Sequence, residues 1–82
     1  MRFMVGFKTL PGPEEELTAL ITAERARVQV LREQGVIEEL YLASDLARGW
    51  LVMQCESLEQ VQQYLQTLPL YAYLEMEINQ IR

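Results

Sequence analysis

The C-terminal dozen residues constrain the fold most, because a proline that ends a helix is followed directly by strict alternation of side-chain character. After Pro69, positions 71, 73, 75 and 77 are tyrosine or glutamate, whereas positions 72, 74, 76 and 78 are apolar. A period of two places the two sets on opposite faces of a strand. The sequence therefore predicts a strand with one face on a packed core and an aromatic, acidic face that needs its own cover.

The same alternation predicts three strands upstream. They span Arg2–Lys8, Val36–Ser44 and Trp50–Glu56, and the stretch Asp45–Gly49 between the last two is predicted to be a turn. The first strand is expected at the centre of the sheet, because it is rich in aromatic and β-branched residues.

Two helices are predicted between the strands. The first runs over Pro13–Gln34, because proline suits the first helical position, three glutamates follow it, and Gly35 is a good stop. The second begins after Ser57, which forms a capping box with Gln60, and ends at Pro69.

The predicted order, β-α-β-β-α-β, is that of a ferredoxin-like α+β domain with an antiparallel sheet, and 82 residues suffice for one such domain over 1–82. Both helices would cover the sheet face that carries Phe3, Val5, Phe7, Leu51, Met53, Cys55, Leu74, Met76 and Ile78. The opposite face would carry Met4, Tyr41, Trp50, Val52, Tyr71 and Tyr73. An aromatic face of that size tends to be covered, so we expect a homodimer that pairs its sheets, as in a dimeric α+β barrel, and that can assemble into larger rings.

Composition excludes several functions. The net charge of −5 disfavours nucleic acid and anionic membranes as partners. Histidine is absent and Cys55 is the single cysteine, so we expect no metal site and no intrachain disulfide. No apolar run reaches membrane-spanning length and the N-terminus does not read as a signal peptide, so we expect a cytoplasmic protein.

Glu24 is the candidate catalytic residue. It falls in the middle of the apolar stripe of the first helix, which is formed by Leu17, Leu20, Ile21, Val28 and Leu31. A carboxylate that faces an apolar sheet is desolvated, and its pKa rises toward the range in which it can accept and return a proton. The alternative is that Glu24 bends to the edge of the stripe and pairs with Arg25 or Arg27.

Four residues near the expected position of Glu24 are candidates for substrate binding: Phe7, Met53, Cys55 and Met76. Each can equally be core packing, and Cys55 has no histidine to activate it as a nucleophile. Glu75 and Glu77 share a strand face and could form an acid/base pair, but ion pairs with Arg2 or Lys8 across an interface are the simpler reading. Arg48 could attract an acidic ligand at a pocket rim.

The chain resembles the muconolactone isomerase family. The resemblance is most specific in the tail, Leu68–Glu77, which has a Leu-Pro-Leu-aromatic-x-Tyr-apolar-acid-apolar-Glu pattern. Ala23-Glu24, the run Leu31–Gly35 and Ser57-x-Glu59 support it. The second strand departs from the family pattern, because Glu38–Leu42 contains no basic residue where the family has arginine and histidine.

The resemblance implies small intracellular subunits assembled from dimers, with a pocket between the sheet and its helices. It also implies an isomerase that moves a proton in an unsaturated lactone without metal or organic cofactor. Two alternatives stay open at this point: a non-catalytic module that binds a small ligand or only assembles, and a cofactor-free monooxygenase of the same barrel group. An enzyme needs a water-accessible cavity beside Glu24, an assembly module would fill that space, and a monooxygenase would consume oxygen.

Overall fold

The protein is described by a computed structural model over residues 1–45 and 47–82. Its elements follow the predicted order. They are β1 (Arg2–Thr9), α1 (Glu14–Glu33), β2 (Ile37–Leu42), β3 (Arg48–Gln54), α2 (Leu58–Gln66), a 3-10 turn (Tyr71–Tyr73) and β4 (Leu74–Ile81). The predicted α+β fold with β-α-β-β-α-β order is confirmed.

The four strands form one antiparallel sheet in the order β2-β3-β1-β4. Strand β1 is central, as predicted, and pairs along its whole length with β3 on one side and β4 on the other. Phe7 is opposite Gly49 of β3 and Met76 of β4, whereas Gly6 is opposite Trp50 and Glu77. Phe7 and Gly6 thus belong to two rows of side chains that cross the sheet on opposite faces.

The helix ends follow the predicted signals. Pro13 precedes α1, three glutamates occupy the first turn, and Gly35 adopts a φ of +77° just after the last turn. At α2, the Ser57 hydroxyl accepts a hydrogen bond from the Gln60 N–H at 3.1 Å. The Gln60 side chain in turn accepts from the N–H of Glu56 at 2.7 Å, so one free donor of the first turn and one just before the N-cap are satisfied.

The core lies between the helices and one face of the sheet, which we call the helix face. Its buried members are Phe3, Val5, Leu31, Val36, Ile37, Leu51, Met53, Cys55, Val61, Leu65 and Leu68. The open face is the other side of the sheet and carries Met4, Gly6, Lys8, Tyr41, Trp50, Val52, Glu75 and Glu77. On the open face Tyr41 and Trp50 remain 54% and 41% exposed.

The start of the tail strand was predicted wrongly. Residues 71–73 form a 3-10 turn in which the N–H groups of Tyr71 and Tyr73 donate to the carbonyls of Leu68 and Leu70. Tyr73 therefore does not join the open face: its hydroxyl donates to Glu16 of α1. The 3-10 turn is part of the connection from the end of α2 to the edge of the sheet, and the alternation of β4 begins only after it.

The second strand also differs from the prediction, because β2 contains a bulge. Ile37 pairs with Met53 and Glu39 pairs with Val52, so Glu38 is an extra residue in β2. The bulge places Ile37 on the same face as Leu40, whereas unbroken alternation would separate them. Glu38 instead reaches Arg2, with 3.0 Å between Oε2 and Nε.

The predicted turn Asp45–Gly49 is shorter in the structure, because Arg48 and Gly49 already belong to β3. Leu46 lies outside the described residues. The Ala43 N–H donates to the Arg48 carbonyl at 2.9 Å, which brings the ends of β2 and β3 together.

Candidate functional site

Glu24 lies on the side of α1 that faces the segment joining α2 to β4. Positions 17, 20, 24, 28 and 31 repeat at intervals of three and four, so Glu24 falls on the same stripe as the buried Leu31. Its side chain is half-buried, and Oε1 accepts a hydrogen bond from the backbone N–H of Leu70 at 3.0 Å. The first helix thus supplies the acceptor for a donor that lies between α2 and the 3-10 turn.

The second carboxylate oxygen of Glu24 has a different environment. Oε2 is buried, and none of the described residues gives it a hydrogen-bond partner. Burial raises the pKa of Glu24 above its ordinary value, and the hydrogen bond from Leu70 opposes that rise in part. Glu24 therefore has one oxygen that is held by a backbone N–H and one that is buried without a partner among the described residues.

The alternative interpretation predicted an ion pair between Glu24 and Arg25 or Arg27. Arg27 instead contacts the end of the second helix. Its Nε donates to the hydroxyl of Thr67 at 2.9 Å, and that hydroxyl donates to the Tyr64 carbonyl at 2.6 Å. Among the described residues, the one ion pair is that between Arg2 and Glu38. The Glu24 carboxylate is thus held by a backbone N–H and not by a cation.

Helix α1 contacts the segment 67–73 at three points. Arg27 contacts Thr67, Glu24 contacts Leu70, and Glu16 contacts Tyr73. Since the numbers fall along α1 as they rise along the segment, the two run antiparallel. Every one of these hydrogen bonds joins residues 40 or more apart in the chain.

The apolar stripe predicted that Glu24 faces the interior, but no pattern predicted its hydrogen-bond partner, Leu70. A backbone N–H that is shielded from water and lies outside helix or strand needs an acceptor in the protein, and the half-buried Leu70, which follows Pro69, is such a donor. That signal marks the donor but not the acceptor, because the contact spans 46 positions. Thr67 and Arg27 carried no distinguishing sequence pattern.

The four predicted substrate-binding residues belong to the same core or pack against it, but they differ in burial. Met53 and Cys55 are buried in the core, at 0% and 3% exposure. The same burial raises the pKa of the Cys55 thiol, which disfavours a thiolate. Phe7 is half-buried and its ring lies over Gly49, whereas Met76 reaches the surface of a cleft.

That cleft lies between α2 and the edge strand β4, on the helix face, and has a volume of about 460 Å³. Its lining residues are Gln62, Leu65, Tyr71, Ala72, Leu74, Met76 and Ile78. Glu24 is not among them, but Tyr71 is the direct neighbour of Leu70, which holds the Glu24 carboxylate. The contact between Glu24 and Leu70 is therefore one residue from the wall of the cleft.

A second cleft, of about 390 Å³, lies at the open face. It is lined by Gly6, Phe7, Lys8, Arg48, Trp50, Glu75, Met76 and Glu77. The cleft thus has two cations on one side, Lys8 of β1 and Arg48 of β3, and two carboxylates of β4 on the other. The indole of Trp50 lies beside Gly6. Met76 is common to both clefts.

The described residues contain no cluster of three or more His, Cys, Asp or Glu side chains that could hold a metal ion. Neither helix in the described ranges combines the length and apolarity needed to cross a bilayer.

The fold and Glu24 together define a small ferredoxin-like α+β protein with an acid held between its first helix and the connection to its last strand. The comparisons with known proteins agree with this class. A family model described as muconolactone delta-isomerase matches residues 1–82. The chain belongs to the muconolactone isomerase family.

Solved structures give the same result. A muconolactone isomerase structure superposes with a TM-score of 0.86 at 25% identity, covering 99% of this chain and 88% of the other. A 5-chloro-2-hydroxyhydroquinone dehydrochlorinase from Burkholderia phenoliruptrix AC1100, in complex with 2,5-dihydroxybenzoquinone, gives a TM-score of 0.81 at 17% identity, covering 100% and 94%. At that identity the second likeness concerns the fold alone. A comparison with curated protein sequences found no match.

Proposed function

We propose that this protein is an isomerase-like enzyme that moves a proton between two carbons of a small unsaturated lactone or related metabolite. Glu24 is the proton shuttle. The observation that carries the proposal is the buried Oε2 of Glu24, which has no hydrogen-bond partner among the described residues while Oε1 is held by Leu70. Membership of the muconolactone isomerase family supplies the substrate class.

The reaction needs one base that becomes one acid. The ionised Oε2 takes a proton from a carbon beside the lactone carbonyl, and the electron pair of the broken C–H bond delocalises into the conjugated enolate. The protonated carboxyl then returns the proton to a second carbon of that enolate, so Glu24 ends as it began. A carboxyl with a raised pKa suits both halves of this cycle.

The cleft beside Tyr71 is the proposed substrate entrance. Met76 lines it, and Phe7 is the cross-strand neighbour of Met76. We propose that these two residues contact the substrate. We propose that Met53 and Cys55 pack behind the site, since both are buried.

The test follows muconolactone by ultraviolet absorbance with wild-type protein, Glu24→Gln and a control variant, Glu15→Gln. Glu15 is an exposed acid on the same helix, so its variant removes one charge without touching the site. We expect turnover by the wild type and the control, and a loss of at least about a hundredfold in Glu24→Gln. Equal turnover in all three would overturn the role of Glu24, and no turnover by folded wild type would remove this reaction.

A second function is favoured by two observations: the core around Met53 and Cys55 is buried, and Glu24 lines neither of the two clefts. A filled core suits a non-catalytic module that binds a small ligand or assembles. Calorimetric binding of the lactone without turnover would favour this module. Oxygen consumption with an electron-rich aromatic substrate would instead indicate the monooxygenase.

We further propose that the protein is a cytoplasmic homodimer that pairs its open faces. The family supports a homo-oligomer. The open face is electrostatically self-complementary, because a two-fold axis can bring Lys8 and Arg48 of one copy to Glu75 and Glu77 of the other. Sedimentation velocity should show a dimer that weakens as salt rises, and a salt-independent monomer would overturn the pairing.

A further inference from the structure

The segment that holds Glu24 is itself held by a second contact, one helical turn further along α1. Glu24 and Arg27 are three residues apart on one helix face, and their partners, Leu70 and Thr67, are also three residues apart. The two hydrogen bonds therefore form neighbouring connections between the same helix and the same segment.

We infer that Arg27 is a positioning residue, which acts through Thr67 to keep the Leu70 N–H on Oε1 of Glu24 and so leaves Oε2 as the oxygen that exchanges the proton. The inference rests on the proposed function of Glu24. It assigns Arg27 no contact with the substrate.

The hydroxyl of Thr67 joins two groups. It accepts from Arg27 Nε at 2.9 Å and donates to the Tyr64 carbonyl at 2.6 Å, in the last turn of α2. A cation near the C-terminal end of a helix is favoured by the carbonyl groups that lack helical partners there. Arg27 thus fixes the end of α2 against α1.

The chain between the two contacts is short and stiff. Two residues, Leu68 and Pro69, separate Thr67 from Leu70, and the φ of Pro69 is fixed by its ring. Because of this stiffness, a shift of Thr67 also moves the Leu70 N–H away from Glu24. The hydrogen bond on Oε1 is compatible with both protonation states of the carboxyl, so the proton can come and go at Oε2 while the side chain keeps its orientation.

Few charges surround this arrangement. Residues 67–74 contain no charged side chain, and on α1 the neighbouring cations of Glu24 are Arg25 and Arg27. Arg25 is exposed, and no hydrogen bond of its side chain is found among the described residues. Arg25 therefore serves as a control for the loss of one positive charge beside Glu24.

The experiment compares Arg27→Gln, Thr67→Val, Thr67→Ser and Arg25→Gln with the wild type. One readout is the titration of the Glu24 carboxyl by carbon-13 NMR, which needs no substrate. The other is the pH profile of kcat/KM for muconolactone. Thr67→Val is the sharpest variant, since it removes the hydroxyl at similar shape and unchanged charge.

We expect Thr67→Val and Arg27→Gln to raise the pKa of Glu24, because the Leu70 hydrogen bond that stabilises the carboxylate is weakened. The acid limb of the kcat/KM profile should move to higher pH with it, and kcat/KM at neutral pH should fall about tenfold. Thr67→Ser should behave as wild type, and Arg25→Gln should leave both readouts nearly unchanged. Circular dichroism checks that each variant is folded.

The outcomes separate the two claims. An unchanged Glu24 titration in Thr67→Val overturns the positioning role, whatever the turnover. An equal effect of Arg25→Gln and Arg27→Gln, with none from Thr67→Val, also overturns it, since charge alone would then explain the result. A shifted titration without turnover by the wild type supports the contacts and overturns the proposed function.

Discussion

The two faces of the sheet solve the same packing problem in different ways. Each has a glycine on one central strand beneath an aromatic ring of the strand beside it: Phe7 covers Gly49 on the helix face, and Trp50 covers Gly6 on the open face. On the helix face, the two helices of the same chain complete the core. On the open face Trp50 stays 41% exposed, so a single chain covers the pair of Trp50 and Gly6 only in part.

The difference teaches which contacts the chain specifies alone. The fit at Gly49 is tight, since a Cβ there would lie 2.7 and 2.9 Å from the two Cε atoms of Phe7. The fit at Gly6 is loose, since the nearest atom of Trp50 would be 3.7 Å away. The pair of Phe7 and Gly49 is therefore closely packed within one chain, whereas Trp50 leaves room for a Cβ at Gly6.

The largest effect should come from truncating the core, and the chain offers a matched pair for it. Met53 is fully buried on the helix face, and Met4 is half-buried on the open face. Met53→Ala should lower the free energy of unfolding by about 2–5 kcal/mol, because it leaves a cavity that the core cannot fill. Met4→Ala should cost well under half as much.

Urea unfolding of the two methionine variants measures the difference, at a protein concentration where sedimentation shows a monomer. Similar losses for both variants would mean that a single chain closes its open face as well as its helix face, and the comparison would fail.

The glycine pair should give the next largest effect. Gly49→Ala forces the Phe7 ring to move within a packed environment and should cost about 1–3 kcal/mol. Gly6→Ala meets ordinary van der Waals contact with Trp50 and should change stability by less than about 1 kcal/mol, in either direction. Thermal unfolding of both variants tests the order.

An equal cost at both glycines would indicate that Trp50 is as immobile as Phe7. The double variant Gly49→Ala, Phe7→Leu provides the internal check. The smaller side chain should recover part of the loss if the ring is the obstacle.

Trp50→Ser should separate folding from association. A tryptophan at the centre of an interface often contributes 2 kcal/mol or more to binding, so the dimer that we propose should weaken by about thirtyfold or more. Unfolding of the monomer should change less than the association does, since Trp50 stays 41% exposed in one chain. Sedimentation velocity over a concentration series measures both species, and a dimer of unchanged affinity would place the interface elsewhere.

The sequence predicted the open and helix faces for β1 and β3 because alternation is uninterrupted there. The prediction of the two faces was wrong where the alternation of side chains is interrupted. The bulge at Glu38 shifts the faces of β2, and the 3-10 turn removes Tyr71 and Tyr73 from β4. Both depend on how the chain reaches its neighbours, which periodicity alone does not encode.

The candidate site shows the same limit. The stripe of α1 was enough to predict that Glu24 is desolvated, since helical periodicity is local. Its partner Leu70 and the connection from Arg27 to Thr67 depend on how α1 packs against the end of α2. Contacts across 40 or more positions leave no local pattern from which they could be predicted.

The smallest effect concerns Glu24, which is half-buried on the helix face. Because burial raises the pKa of Glu24 in the folded protein, the folded state binds more protons than the unfolded state between the ordinary value of 4.5 and the raised pKa. The stability that depends on this group is therefore complete below the ordinary pKa and is lost as pH rises through the folded pKa. Glutamine keeps an acceptor for the Leu70 N–H and cannot ionise.

Glu24→Gln should therefore gain stability relative to the wild type between pH 4 and pH 7, by less than about 1 kcal/mol. Denaturant unfolding at both pH values measures the gain, with Glu77→Gln on the open face as the control for the loss of one negative charge. A gain at pH 7 together with lost turnover would mean that Glu24 weakens the fold and is nevertheless required for the proton transfer. A Glu24→Gln variant that gains nothing as pH rises would instead show that Oε2 is solvated, and the two faces of the sheet would then differ in packing alone.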